Sequence, residues 1–488
     1  MRTFEFRDGK SNKFWSIELR GAEHTVTFGK IGTKGQSKTK TFDDEAKAKA
    51  AHDKLIQEKL REGYIEQKAD APPPSPLQAS LEANLLANPD DLAAYAAYAD
   101  FLTEQGDPRG EFIAVQLALE DEGRSPAERK ELQKREKSLL QQYGRQWLGD
   151  LGRFLDGKWS GPDKPYHYQF ARGSLDFVRV LPFPIAAIAS LARSPEVRLL
   201  RHLEVVYDMR YHPFDFEKVT KGPMKGLTAQ EREHESDPAE GDEENPIPGD
   251  LFTSPYLTNL RVFKLGFSDA ENPPTHSTMV GPFQGRNADE VVELLSRAPR
   301  LEELYLNTDL PGIERLFASP ALGRLRILQY YFGMVYDQDD GHVYRLRPLA
   351  DNPALGQLTH LRLHPGRDTT IDLAGMEAIL HSPNLPNLTH LQIHMTTFGD
   401  DGPRAVIRSG IMRRLKVLDF GYGNMTDEGA RLLASSPDVK PLELLDLRRN
   451  ALTSAGVAAL EAAGVRVIAD NQHELDEEYP RYLDVDVE

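Results

Sequence analysis

The sequence predicts a multidomain α/β protein in three parts: a small antiparallel sheet with a helix, a helical middle segment, and a solenoid of short parallel strands alternating with helices. Three observations carry this. Strand-like runs divided by glycine turns lead into one helical pattern over residues 2–62, three consecutive prolines stand at 72–74, and from residue 173 a short proline motif recurs ahead of regularly spaced leucines. A chain of 488 residues also exceeds the size at which single cores usually split into domains.

In the first part, TFEF, KFWSIEL, HTVTFGKI and SKTKTF alternate as strands do, and Asp8-Gly9, Gly21 and Gly32 to Gly35 supply turns. Asp43 or Asp44 caps a helix with Ala48, Ala51, Leu55 and Ile56 on its apolar stripe and Gly63 at its C-cap. This closes a unit over 1–67. Residues 68–76, KADAPPPSP, read as a semi-rigid linker, because three prolines neither continue a helix nor join a sheet ladder.

Residues 77–155 are helical by pattern, punctuated by Asn88-Pro89-Asp90 and Gly106-Asp107-Pro108, with a charged helix over 126–143. Tyr95, Tyr98, Phe101 and Leu102 fall at helical spacing and are expected to pack a core.

Over 173–470 a boundary motif of small residue, Pro, any residue, then Leu or Val occurs at 194–197, 254–257, 298–301, 319–322, 352–355, 382–385 and 436–439. L-x-x-L-x-L follows most copies, as in Leu358, Leu361 and Leu363, then Leu388, Leu391 and Ile393, then Leu415, Leu418 and Phe420, then Leu442, Leu445 and Leu447. The last three copies are 27 residues apart, and Gly402, Gly429 and Gly456 repeat at that interval. Each repeat sends a short strand's leucines inward, returns by a helix, and buries its apolar edge against the next. The acidic stretch 221–250 reads as a disordered loop in this array, either a solvated spacer or a binding tail, and 471–488 as an acidic C-terminal tail or a cap extension.

Hydrophobic residues make up 40% and charged residues 28% of a chain whose formal net charge is −17, which is ordinary for a folded protein. There is no cysteine, which excludes disulfides, thiolate zinc sites and cysteine nucleophiles and makes the cytoplasm the expected compartment. No run of about 18 apolar residues occurs, so no membrane partner is expected. Residues 1–68 carry 15 Lys+Arg against 11 Asp+Glu, a balance of +4 that leaves −21 on the remainder. The bulk of the chain repels polyanions; its first part need not.

Trp15, the run G-x-I-G-T-x-G-Q from Gly29 to Gln36, the strand Lys38-Thr39-Lys40-Thr41-Phe42 and the helix after it resemble the WGR domain, found in poly(ADP-ribose) polymerases and in bacterial proteins. Phe28-Gly29-Lys30 stands where that family usually has Trp-Gly-Arg. The resemblance implies contact with a DNA end, an aromatic ring packing on the terminal sugar and a guanidinium engaging phosphate or protein. Phe28 keeps an aromatic face and Lys30 a charge, but the planar fork that grips phosphate at two points is absent. Lys34, Lys38 and Lys40 add charge on the same hairpin, suited to backbone phosphates of DNA or RNA without sequence readout. Two other readings stand beside this one: Phe28 as core with lysines that keep a sheet edge soluble, and docking to a protein.

ANPDDLAAYAAYADFLTEQGDPRGEFI resembles a bacterial family of helical modules found beside repeat arrays, and L-x-x-L-x-L with T-x-x-G-x-x-x-L resembles leucine-rich repeats of the ribonuclease-inhibitor-like class. In such a repeat the residues between the leucines face the concave surface. That register is expected to expose Glu303, Tyr305 and Asn307, Gln329 and Tyr331, His360, Arg362 and His364, His390, Gln392 and His394, Asp419, then Asp446 and Arg448. Paired histidines on neighbouring strands suit a divalent metal, an anion or a pH-sensitive contact, or are simply tolerated on a polar face. Aromatic, Arg and His side chains over a sheet suit a protein partner.

No G-x-S-x-G, Walker lysine loop, H-E-x-x-H, EF-hand loop or strand-linked G-x-G-x-x-G is present, so neither an enzyme nor a cofactor is expected. The expectation is an adaptor that binds a protein on its repeats, with nucleic-acid contact through residues 1–67. The alternative is a pure interaction scaffold or enzyme inhibitor, and a metal-dependent activity at the histidines ranks behind both.

Overall fold

A computed structural model describes residues 2–7, 12–61, 65–67, 75–155, 166–181, 185–207, 249–267, 287–308, 310–331, 342–343, 345–365, 369–394, 396 and 398–474. The described residues fall into two compact units, one holding the chain up to Gln146 and again 152–155, the other Trp147–Leu151 and the chain from 166 onward.

The first unit begins with strands β1 (Arg2–Arg7), β2 (Asn12–Arg20), β3 (Glu23–Lys30) and β4 (Gln36–Thr41), then helix α1 (Glu45–Arg61) and β5 (Ile65–Gln67). The sheet order is β4-β3-β2-β1-β5, and every pair is antiparallel. Asp44 starts α1 by accepting the Lys47 amide at 2.7 Å. Ala48 and Ile56 are buried, and Phe4, Trp15, Ile17 and Ile56 form the core, with Val26, Phe28 and Leu55 packed against it. The sequence reading ended this unit at the helix and missed β5, a three-residue strand too short to show a period, which pairs with the edge of β1. Asp8-Gly9, Gly63 and most of the linker lie outside the described residues.

The same unit contains α2 (Pro76–Ala87), α3 (Leu92–Glu104), α4 (Pro108–Glu120) and α5 (Pro126–Trp147), the last residue of which belongs to the second unit. Ser75, Asp91 and Asp107 cap the first three by accepting the amides of Gln78, Ala93 and Arg109 at 3.1, 2.9 and 2.8 Å, which explains why the punctuation marked their starts. Tyr95 and Leu102 are buried; Tyr98 and Phe101 are half-buried, and the Tyr98 hydroxyl donates to Glu82 at 2.9 Å.

The second unit is built on an eleven-stranded mixed sheet. Its strands are β6 (His167–Ala171), β7 (Ser174–Val180), β8 (His202–Tyr207), β9 (Val262–Phe267), β10 (Glu303–Asn307), β11 (Ile327–Tyr331), β13 (His360–His364), β15 (His390–Ile393), β16 (Val417–Asp419), β17 (Leu444–Asp446) and β18 (Val467–Ile468); β12 (His342–Val343) and β14 (Thr369–Thr370) form a separate pair. The main strands lie in chain order and pair in parallel from β7 onward. β6 and β7 form an antiparallel hairpin whose two-residue turn, Arg172-Gly173, has φ of 52° and 76°, the geometry that matches strand twist. The hairpin covers one edge of the parallel run and starts before the expected boundary at 173.

The boundary motif works in two directions. Ser254 Oγ donates to Ala192 O in the repeat before it at 2.5 Å and accepts the Tyr256 amide, while Ser382 Oγ donates to Ala350 O at 2.6 Å and accepts the Asn384 amide. Asn352 does the same with two donors, to Phe317 O and Ser319 O. At Pro320, Pro353 and Pro437 the proline opens a short 3-10 turn, where its missing N–H costs nothing. The leucines of L-x-x-L-x-L are buried in every copy named above. Of the acidic stretch, 221–248 lies outside the described residues; Gly249 and Asp250 open a 3-10 turn, and Asp250 pairs with Arg193 at 2.5 Å, so these two residues are not loop. At the far end, Gln472 Nε2 donates to Leu447 O at 2.8 Å and the His473 amide to Asn450 O at 2.8 Å, so 471–474 cap the last repeat, and 475–488 lie outside the described residues.

Candidate interaction surfaces

In the N-terminal sheet Phe28 sits opposite Trp15 on β2 and Gln36 on β4, with its ring half-buried against the core. β4 is the edge strand and is exposed along its whole length. Lys38 and Lys40 pair with Val26 and His24, so they share a face with Phe28; Lys38 Nζ lies 5.7 Å from the Phe28 ring centre and Lys40 Nζ 5.1 Å from that of Phe42. The two ammonium groups thus sit over aromatic rings at cation–π distance on an exposed strand. Lys30 and Lys34 are exposed at the turn, and Lys13, which sequence reading passed over, pairs with Lys30 across β2 and β3. The turn requires its glycines: Gly35 has φ of +65°, and a Cβ there would stand 2.6 Å from Phe14 and 2.8 Å from the Phe28 carbonyl. The lysines form a basic edge, and the aromatic ring expected beside them is engaged by the core.

On the large sheet, parallel register aligns one residue from each of nine strands: Arg179, Glu204, Lys264, Tyr305, Gln329, Arg362, Gln392, Asp419 and Asp446. Glu204 binds Lys264 Nζ at 2.8 Å and His202 Nε2 at 2.9 Å, and Arg179 Nε lies 2.8 Å away without aiming its N–H. Burial acts to raise the Glu204 carboxyl, but these donors and charges overcome it and hold the group at about 2. Tyr305 donates to Glu303 at 2.8 Å beneath Lys264, 5.2 Å from its ring centre. Burial and Glu303 push the phenol up. Arg448 neutralises Asp446 at 2.9 Å.

Two residues earlier on the strands, His360 and His390 stack with ring centres 3.8 Å apart. Thr359 Oγ donates to Arg326 O, so it accepts from His360 Nδ1 at 2.9 Å; Thr389 Oγ donates to Thr359 O and accepts from His390 Nδ1 at 2.9 Å. Both rings therefore carry the Nδ1 proton, and neither Nε2 has a hydrogen-bond partner among the described residues. Burial, His390, Arg362 and Arg326 depress His360 to about 4; burial, Arg362 and Lys416 depress His390.

Two residues later, His364 Nδ1 lies 2.8 Å from His394 Nδ1, and His394 Nε2 donates to Asp419 at 2.7 Å. Gln392 donates to the Tyr331 hydroxyl at 2.6 Å and lies 3.2 Å from His394 Nδ1. Tyr422 packs on both rings. Burial holds His364 neutral, and burial of Asp419 is outweighed by His394 and the Gly421 amide, which keep it ionised.

This corrects the expected exposure. Asn307, Gln329, Tyr331, His364, His394, Asp419 and Asp446 are buried, each under 10% exposed. Alternation puts them on the right face, but long side chains on strands about 4.8 Å apart cover one another. Tyr305, His360, Arg362, His390, Gln392 and Arg448 remain partly accessible. Sequence reading missed Arg179, His202, Glu204 and Lys264, although Leu175-Val178-Val180, Leu200-Leu203-Val205 and Leu260-Phe263-Leu265 keep the same L-x-x-L-x-L spacing and mark them. Among the described residues no three His, Asp or Glu side chains are grouped to hold a metal, and no helix is long and apolar enough to cross a membrane.

Residues 1–71 match the WGR domain family and residues 413–434 a leucine-rich repeat family, so the chain carries both. It is 50% identical over 70 residues to protein YehF of Escherichia coli (strain K12), covering 14% of this chain and 26% of that protein. It is 42% identical over 65 residues to the uncharacterized protein YfeS of the same organism, covering 13% and 27%. The chain thus spans about a quarter of the length of these curated relatives. A crystal structure of a Bacteroides fragilis protein aligns over 98% of this chain and 97% of its own at 16% identity with a TM-score of 0.40.

Proposed function

We propose that this chain is a non-enzymatic, cytoplasmic adaptor. Its repeats form a solenoid whose concave face is the polar row of the large sheet, and a protein partner binds there; the WGR domain brings that partner to DNA or RNA. The helices of 77–155 serve as the companion module of such arrays. The observation that carries this reading is the row itself: nine strands align one set of Arg, Glu, Lys, Tyr, Gln and Asp side chains, of which Arg179, Lys264, Tyr305, Arg362 and Gln392 are partly accessible, an arrangement suited to polar and aromatic contacts with one extended partner. The basic edge at Lys13, Lys30, Lys34, Lys38 and Lys40 supports the nucleic-acid half.

A second reading, a protein scaffold or inhibitor without nucleic-acid contact, is favoured by two observations: Phe28 packs on the core, and lysine replaces the arginine that would grip phosphate. Co-purification from the native host, with and without nuclease, separates the two. The adaptor reading requires a protein that stays bound after nuclease and is lost when Tyr305 and Gln392 are changed to Ala, and nucleic acid that is lost when the lysines are reversed. A partner indifferent to the Tyr305 and Gln392 changes contradicts it.

A further inference from the structure

We infer that Arg362 is the docking point for a carboxylate on an acidic segment of a protein partner, an inference that rests on the sheet face being a protein-binding surface. Arg362 lies in the middle of the polar row, between Gln329 and Gln392. Among the described residues of the aligned row, the other cations, Arg179 and Lys264, are both matched to Glu204, and Arg448 beside the row is matched to Asp446. Arg362 has one long hydrogen bond, 3.5 Å to Gln329 Oε1, and no carboxylate within ion-pair range among the described residues.

Its surroundings make this more than a surface arginine. The guanidinium is half-buried, and its field reaches His360, His390 and Tyr305, acting in each case against positive charge or in favour of negative charge. Arg326 and Lys416 add cationic charge near the two histidines. Among the described residues, the acids whose field reaches Tyr305 and His390 are committed, Glu303 to the Tyr305 hydroxyl and Glu443 to Lys416 at 3.0 Å. In a chain of net charge −17, the described residues thus hold a positive spot at the centre of the polar row. A half-desolvated guanidinium with no counter-ion among the described residues is under-compensated, and an incoming carboxylate meets a fork that matches its geometry.

The histidines argue for a peptide over a small oxyanion. Their tautomer leaves two Nε2 lone pairs side by side next to Arg362. These call for more than one hydrogen-bond donor beside the carboxylate, which the N–H groups of a peptide backbone bring along with an acidic side chain, whereas hydrogenphosphate carries a single O–H.

The test is histidine-ring NMR on the full chain at neutral pH, titrated with hexaglutamate, hexaglutamine and inorganic phosphate. Hexaglutamate is expected to shift the His360 and His390 signals saturably and hexaglutamine to leave them in place. Arg362→Gln is expected to weaken the response at least tenfold and Arg362→Lys to weaken it less, with the His364 and His394 signals unmoved as the control for folding. An equal response in Arg362→Gln overturns the inference, and so does a saturable shift of the same size with phosphate. If the native partner is lost with Tyr305→Ala but kept by Arg362→Gln, the face stands as a binding surface and only the carboxylate inference fails.

Discussion

His360 and His390, one repeat apart, stack with ring centres 3.8 Å apart and planes within 13°, each fixed by a proton donated to the threonine before it. The stack exists with both rings neutral, since a second proton would set two like charges in contact. His360 titrates at about 4 against an ordinary 6.5, and His390 is also lowered. The unfolded chain therefore takes up protons before the folded one as pH falls, so this contribution to stability is full above about 6.5 and lost as pH falls towards about 4. Urea midpoints at pH 7.5 and 4.5 should fall less in the His360→Gln, His390→Gln variant than in the wild type; an equal fall contradicts the neutral stack.

Asp400 ties consecutive repeats together: it accepts the Thr426 amide at 2.8 Å, the Thr426 hydroxyl at 2.7 Å and the Gly429 amide at 3.0 Å. Asp427 repeats the arrangement with Thr453 at 2.8 and 2.7 Å. Asp400→Ala leaves those donors without an acceptor and should cost about 2 kcal/mol in equilibrium urea unfolding. Asp400→Asn, which keeps one acceptor oxygen, should cost less.

Gly35→Ala tests the hairpin. At φ of +65° with Phe14 and the Phe28 carbonyl closer than any Cβ contact permits, alanine should cost about 2–3 kcal/mol. Hydrogen exchange should show lost protection over β2 to β4, with the sheet of the second unit unchanged.

Reversing Lys30, Lys34 and Lys38 to Glu should abolish band shifts with duplex DNA at low salt. In the unaltered protein, log affinity against log salt should fall with a slope of about −3 to −4 if four of the five lysines each meet a phosphate. A flat salt dependence would exclude a backbone-phosphate mode.

What the sequence made legible was whatever repeats with a period. Leu361, Leu391, Leu418 and Leu445 read as core because one face of each strand must be apolar, and all four are buried. The same alternation put His364, His394, Asp419 and Asp446 on the other face, but depth depends on neighbours from other repeats, such as Tyr422 and Tyr331, which no period encodes. Lys38 and Lys40 read as charge on a hairpin; that they sit over Phe28 and Phe42 follows from pairing register across β3 and β4. Glu204 was missed because the long stretch between its repeat and the next hides the shared spacing. Ser254 and Ser382 were read as punctuation, yet each holds its repeat to the one before.

The most direct measurement is quantitative mass spectrometry of what co-purifies with the native chain after nuclease treatment, compared with the Tyr305→Ala, Gln392→Ala variant. The expected result is one protein at near-stoichiometric yield with the native chain, reduced at least tenfold with the variant. The same protein in equal yield from both would contradict a partner on the polar face of the large sheet.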